Sequence, residues 1–138
     1  MKRIIVLYGH SNCGKTETLN ILRELIRENG GNSLSKSILQ GGDVSETFLY
    51  KGQKICICSG GDTDDVIIQN FQYANYNKAE VFITASRTRG KGCDYINEEA
   101  IKNGLQPEWY KKSYEDHLNR DVQMYCNQSY AETLFNLL

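Results

Sequence analysis

The sequence predicts an α/β fold: a three-layer α/β/α sandwich on a mostly parallel five-stranded sheet, with one antiparallel edge strand. Three observations carry this. Short, continuously apolar runs rich in β-branched residues alternate with amphipathic stretches of helical period, as in strands covered by helices on both faces. A single hairpin interrupts that alternation. The 138 residues hold one Pro and no Pro-rich linker, so residues 1–138 read as a single domain.

The elements follow in order. Ile4, Ile5, Val6 and Leu7 form the first buried strand. Leu19, Leu22 and Ile26 then recur at helical spacing, widened by Ile21 and Leu25, and Asn29-Gly30-Gly31 supplies a stop. Residues 47–50 and 55–58 flank Lys51-Gly52-Gln53 as a hairpin. Ile67, Phe71 and Ala74 mark one face of the next helix, and residues 81–85 form another buried strand. A modest helix is expected from about residue 94 to 103, stopped by Gly104, and a weaker fifth strand over residues 109–114. Ala131, Leu134, Phe135 and Leu138 give the last helix, residues 120–138, its apolar stripe. Right-handed crossovers make the layered sandwich the natural outcome. Ligands of such sheets bind beyond the carboxyl ends of strands, which puts the loops after Leu7, Cys58 and Ala85 at the candidate site.

Bulk properties exclude several classes. Hydrophobic residues are 40% and charged residues 24%, a globular rather than disordered composition. The net charge is −1, so no overall basic surplus asks for nucleic acid. No apolar run approaches the ~20 residues a membrane span needs, and Met1-Lys2-Arg3 precedes a run too short for a secretory leader. Five cysteines at no paired spacing fit reduced thiols and a cytoplasmic location. Cys56 and Cys58, two apart in a strand, share one face as small buried hydrophobes.

Residues 9–16, Gly-His-Ser-Asn-Cys-Gly-Lys-Thr, fit G-x-x-x-x-G-K-[ST] without departure. The glycines let the backbone wrap an anion, with the N–H groups around Ser11, Asn12 and Cys13 turned inward. The helix that starts near Gly14 aims free N–H groups and its positive dipole end at the same charge. Lys15 reaches the terminal phosphates, and the Thr16 hydroxyl is placed for Mg²⁺. This segment, between a buried strand and an amphipathic helix, resembles the Walker A motif of the P-loop NTPase superfamily over about the first 28 residues. The resemblance implies a P-loop-like fold, a nucleoside triphosphate ligand, and a Walker B aspartate after a neighbouring strand. Asp62 is the candidate, holding Mg²⁺ through water. Ser59-Gly60-Gly61 intervenes before it, a departure from the simple pattern of four apolar residues then Asp. Asp64 and Asp65 compete for the role, and Asp62 or Thr63 could instead cap the next helix.

Arg87, Arg89 and Lys91 lie in a glycine-bearing loop after a buried strand. They suit charge stabilisation at a transferring phosphoryl group, or a mobile lid; the alternative is a solvated surface loop. Cys13 is either a thiol activated by the helix N-terminus or, with His10, a shaper of the loop. Trp109 and Tyr110 beside Lys111 and Lys112 either stack on bases or pack inward, and His117 has no evident partner in the sequence. Asn77-Lys78-Ala79-Glu80 looks similar to the guanine-reading Asn-Lys-x-Asp of small GTPases, with Glu in place of Asp, but it precedes its strand and so falls at the wrong end of the sheet. The expected ligand is therefore ATP with Mg²⁺. The expected activity is an Mg-dependent ATPase that could serve a protein partner. A small-molecule or nucleotide kinase, and a non-catalytic nucleotide-binding switch, are the alternatives.

Overall fold

A computed structural model describes residues 1–39, 41–113 and 120–138. In chain order the elements are β1 (Arg3–Tyr8), α1 (Lys15–Glu28), β2 (Asn32–Ile38), β3 (Val44–Tyr50), β4 (Gln53–Cys58), α2 (Asp64–Tyr76), β5 (Val81–Ser86), α3 (Lys91–Lys102), β6 (Glu108–Lys111) and α4 (Arg120–Phe135). The strands form one mixed sheet of order β2-β3-β4-β5-β1-β6. β4, β5, β1 and β6 run parallel, whereas β3 is antiparallel to both β4 and β2.

Two expectations about the sheet need correction. It has six strands rather than five, and its antiparallel strand, β3, is internal rather than at the edge. The edge belongs to β2, Asn-Ser-Leu-Ser-Lys-Ser-Ile, which is exposed almost throughout. A strand held by backbone pairing and by serine hydroxyls bonded to Glu46, Tyr73 and Asn77 needs no apolar period, so periodicity could not find it. The central lysine, Lys36, suits an edge that must not pair further.

Alternation along the strands divides the core in two. Ile5, Leu7, Phe48, Ile55, Ile57 and Ile83 face Leu19, Leu22 and Ile26 of α1 and Ala131 and Leu134 of α4. On the other face, Ile4, Val6, Cys56, Cys58 and Phe82 meet Ile67, Phe71 and Ala74 of α2 and Ile96 and Ala100 of α3. The stripes read from the sequence for α1, α2 and α4 are the buried ones. Cys56 and Cys58 share a face as expected, and all five cysteines are free.

Local differences have local causes. The β3–β4 turn is two residues, Lys51 (φ 51°) and Gly52 (φ 75°); positive φ at both centres matches the strand twist. α3 starts at Lys91, earlier than expected, directly after Gly90 (φ 120°). β6 is shorter than expected, and Tyr114 and His117 lie outside the described residues. Trp109 packs with the α2–α3 core and Tyr110 with the α1–α4 core, so both aromatics pack inward. No helix among the described residues is long and apolar enough to cross a membrane.

One polar cluster inside the core fixes the orientation of α1. The Glu46 carboxylate, on β3 and 1% exposed, accepts hydrogen bonds from Arg23 at 2.9 Å, from Arg27 at 2.8 Å and from Ser33 at 2.7 Å. Burial opposes its ionisation, but these donors outweigh burial and hold the carboxyl below its ordinary range.

Candidate phosphate-binding site

The loop of residues 9–14 joins β1 to α1 at the carboxyl end of the central parallel strands. Asn12 (φ 62°) and Gly14 (φ 95°) are left-handed, with Cys13 between them. Such alternation turns successive N–H groups to one side and makes an anion-binding concavity. Asn tolerates this conformation better than most residues. At Gly14 a side chain is excluded twice, by its φ and because a Cβ would lie 2.5 Å from Asn127 Oδ1.

The start of α1 carries no side-chain cap. Thr18 N–H makes the first intrahelical bond, to Gly14 O at 3.0 Å, and the N–H groups before it have no intrahelical carbonyl to reach. α2 differs: Thr63 caps it, accepting from Val66 N–H at 3.3 Å. The capping alternative therefore falls to Thr63, and Asp62 is left for another role.

Lys15 folds over the loop. Its Nζ donates to Gly9 O at 2.6 Å and His10 O at 3.1 Å, and lies 3.2 Å from Asp62 Oδ1. The lysine is 5% exposed and the aspartate 51%. Thr16 Oγ1 donates to Ser59 O at 3.2 Å, so its hydroxyl also faces the end of β4. Residues 15, 16 and 62 thus gather at one point.

β4 is not beside β1, because β5 lies between them. After Cys58 the chain has to cross the end of β5 to reach Lys15, and Gly61 makes this possible. A Cβ there would sit 2.1 Å from Ala85 O. Asn70 Nδ2, buried on α2, holds the crossing by donating to Gly60 O at 2.9 Å and Thr84 Oγ1 at 3.1 Å. The interruption before Asp62 is therefore a bridge over a strand. Of the competing acids, Asp64 faces Gly92, where a Cβ would meet its Oδ1 at 3.1 Å; Asp65 is exposed.

Two features of the site escape a reading of the sequence. Asp43, in the turn between β2 and β3, brings a second carboxylate against Gly60. Burial, then the charge of Asp62, raises its pKa. Finding it required seeing that Gly41-Gly42-Asp43 closes a hairpin whose first strand is polar. The other is Lys112, buried behind the loop and donating to Cys13 O at 2.9 Å. A basic residue after a charged strand gave no sign of that burial.

Arg87 and Arg89 lie across the loop's first residues. With Thr88, His10 and Ser11 they line an open cleft of about 540 Å³. Lys91 opens α3 and is exposed. On the other flank, Gly14, Glu17, Gln123, Met124 and Asn127 border a cavity of about 360 Å³. Cys13 is buried, and burial pushes its thiol up against the lowering pull of Lys15 and Lys112. It is a packed residue rather than an activated nucleophile. Asn77 and Lys78 form the turn after α2, and Glu80 O accepts from Lys2 N–H, at the end of the sheet away from the loop.

Among the described residues no group of three or more His, Cys, Asp or Glu is placed to hold a metal. Thr16 and Asp62 bring one hydroxyl and one carboxylate towards the same point. The donor set suits a hard cation that keeps most of its water and takes one or two protein oxygens. Comparison with protein-family models, with curated proteins and with solved structures gives no match.

Proposed function

We propose that the loop of residues 9–16 binds the phosphates of ATP with Mg²⁺ and that the chain is an Mg-dependent ATPase on a P-loop-like three-layer scaffold. The observation that carries this reading is the uncapped start of α1 beneath a left-handed loop, with Lys15 laid over it. The first-turn N–H groups lack intrahelical carbonyls and the Lys15 ammonium rests on the carbonyls of Gly9 and His10, so a polyphosphate entering the loop would give them a common acceptor.

In this reading the Gly9, Ser11, Asn12, Cys13 and Gly14 backbone forms the cradle. Lys15 leaves the carbonyls of Gly9 and His10 and donates to the terminal phosphate oxygens. Thr16 and Asp62 would hold Mg²⁺, Asp62 through water, and the bound ion would supply neutralisation of phosphate charge. The cavity bordered by Gln123, Met124 and Asn127 receives the nucleoside. Arg87 and Arg89, on the opposite flank, donate to oxygens that gain charge as the γ-phosphoryl group departs. Phosphate release by wild type, lost in Lys15→Ala, tests the proposal. Wild type that releases no phosphate above the Lys15→Ala background, with ATP bound, would leave a nucleotide-binding switch.

A second reading is favoured by the 540 Å³ cleft between His10, Ser11, Arg87 and Arg89, which has space for an anionic phosphoryl acceptor. It makes the protein a small-molecule or nucleotide kinase. Transfer of the γ-phosphoryl group to a panel of nucleosides and nucleoside monophosphates separates the two activities, and a uniformly negative panel rejects the kinase.

A further inference from the structure

We propose that Lys112 is a positioning residue of the phosphate loop: a buried ammonium that fixes the peptide unit joining Cys13 and Gly14 and adds positive charge behind the anion site. The proposal rests on the nucleotide-binding reading above.

Lys112 follows β6 directly and is 1% exposed. Its backbone N–H donates to Tyr8 O at 2.7 Å, which carries the β1–β6 pairing to the last residue of β1, directly before the loop. Its carbonyl oxygen fills the place of a Cβ on Gly9, 2.6 Å from where that atom would stand. Its Nζ donates to Cys13 O at 2.9 Å and Ser113 O at 3.0 Å, and sits 4.9 Å from the centre of the Tyr130 ring. One residue therefore grips the loop at both ends.

A buried ammonium ordinarily has a carboxylate for company, because desolvating a lone charge is costly. Among the described residues, the ion pairs include none to Lys112; its described partners are two carbonyl dipoles and one aromatic face. A polyphosphate in the adjacent loop would bring negative charge close to this ammonium. The bond to Cys13 O acts in the same direction. It polarises a peptide whose N–H belongs to Gly14, and a polarised peptide is a stronger donor.

Lys15 and Lys112 thus divide the work. Lys15 reaches the ligand by giving up the carbonyls it now holds. Lys112 stays engaged behind the loop and acts through the Cys13 carbonyl and through space, so its effect grows with the charge of the ligand.

Calorimetry of the full chain with ATP and with ADP, both with Mg²⁺, tests this in wild type and Lys112→Met. The variant should bind ATP about tenfold more weakly, lose less affinity for ADP, and show a flatter salt dependence. Equal losses for ATP and ADP would reduce Lys112 to a purely structural part, and ATP affinity within about twofold of wild type would remove it altogether. Wild type that binds no ATP overturns the nucleotide reading itself, a result separate from either. Circular dichroism reports whether the variant folds. If it does not, ¹⁵N-lysine labelling of wild type decides: the ammonium signal in contact with the Tyr130 ring should shift on adding tripolyphosphate. A signal that stays in place while that of Lys15 moves overturns the proposal.

Discussion

The Lys15 ammonium lies 3.2 Å from the Asp62 carboxylate although β5 separates the strands that precede them. The contact exists because residues 59–61 carry the chain over the end of β5. In the proposed cycle the pair is a latch. Asp62 holds Lys15 over the loop until phosphate oxygens compete for the ammonium, and the carboxylate then becomes free for the metal.

Asp62→Asn should loosen that latch and remove the metal-ordering charge together. Phosphate release at saturating ATP is expected to fall about tenfold or more, the scale of losing one oriented electrostatic group, with a higher Mg²⁺ requirement. A magnesium titration of the initial rate checks it. An unchanged magnesium midpoint removes Asp62 from the metal site.

Gly61→Ala should damage the site without touching the phosphate loop. The added methyl meets Ala85 O at 2.1 Å, so the crossing has to shift, at a cost of about 1–3 kcal/mol. Thermal unfolding measures the cost, and phosphate release should fall further than stability alone explains. Activity equal to wild type at a temperature where both are folded would show that the crossing does not set the position of Asp62.

Glu46→Gln tests the anchor of α1, and its pH dependence has a definite sign. The folded-state carboxyl is held below its unfolded value, so its stabilisation is fully present above the unfolded pKa of about 4.3. That stabilisation disappears as pH falls through the lower, folded value. At pH 7 the substitution should cost about 3 kcal/mol, since it leaves Arg23 and Arg27 without their buried partner. The gap between wild type and variant in urea unfolding should narrow below pH 4. A gap of constant size would mean the carboxylate's charge is not what holds α1.

Thiol labelling of native protein at neutral pH should reach Cys93 and Cys126, the half-buried thiols, before the other three. Burial raises the Cys13 thiol and pushes Cys56 to about 11 and Cys58 to about 12, so they are both covered and protonated. Mass spectrometry of the first labelled peptides decides. Early modification of Cys13 would restore the activated thiol.

The features legible from residue order are local. Eight adjacent residues, Gly9 to Thr16, carry their own geometry: left-handed φ at Asn12 and Gly14, then an uncapped helix. Spacing along the chain is enough to express this. The apolar periods of α1, α2, α4 and the buried strands are likewise legible, because burial on one face selects residues at a fixed interval. β2 was not legible, because its buried contacts are serine hydroxyl bonds and its two apolar residues, Leu34 and Ile38, face outward. Folding in three dimensions places β5 between β4 and β1, makes Gly61 the bridge, and brings Asp43 to Gly60 and Lys112 to the loop from distant segments. Contacts between distant residues depend on strand order, and strand order leaves no periodic mark on the chain.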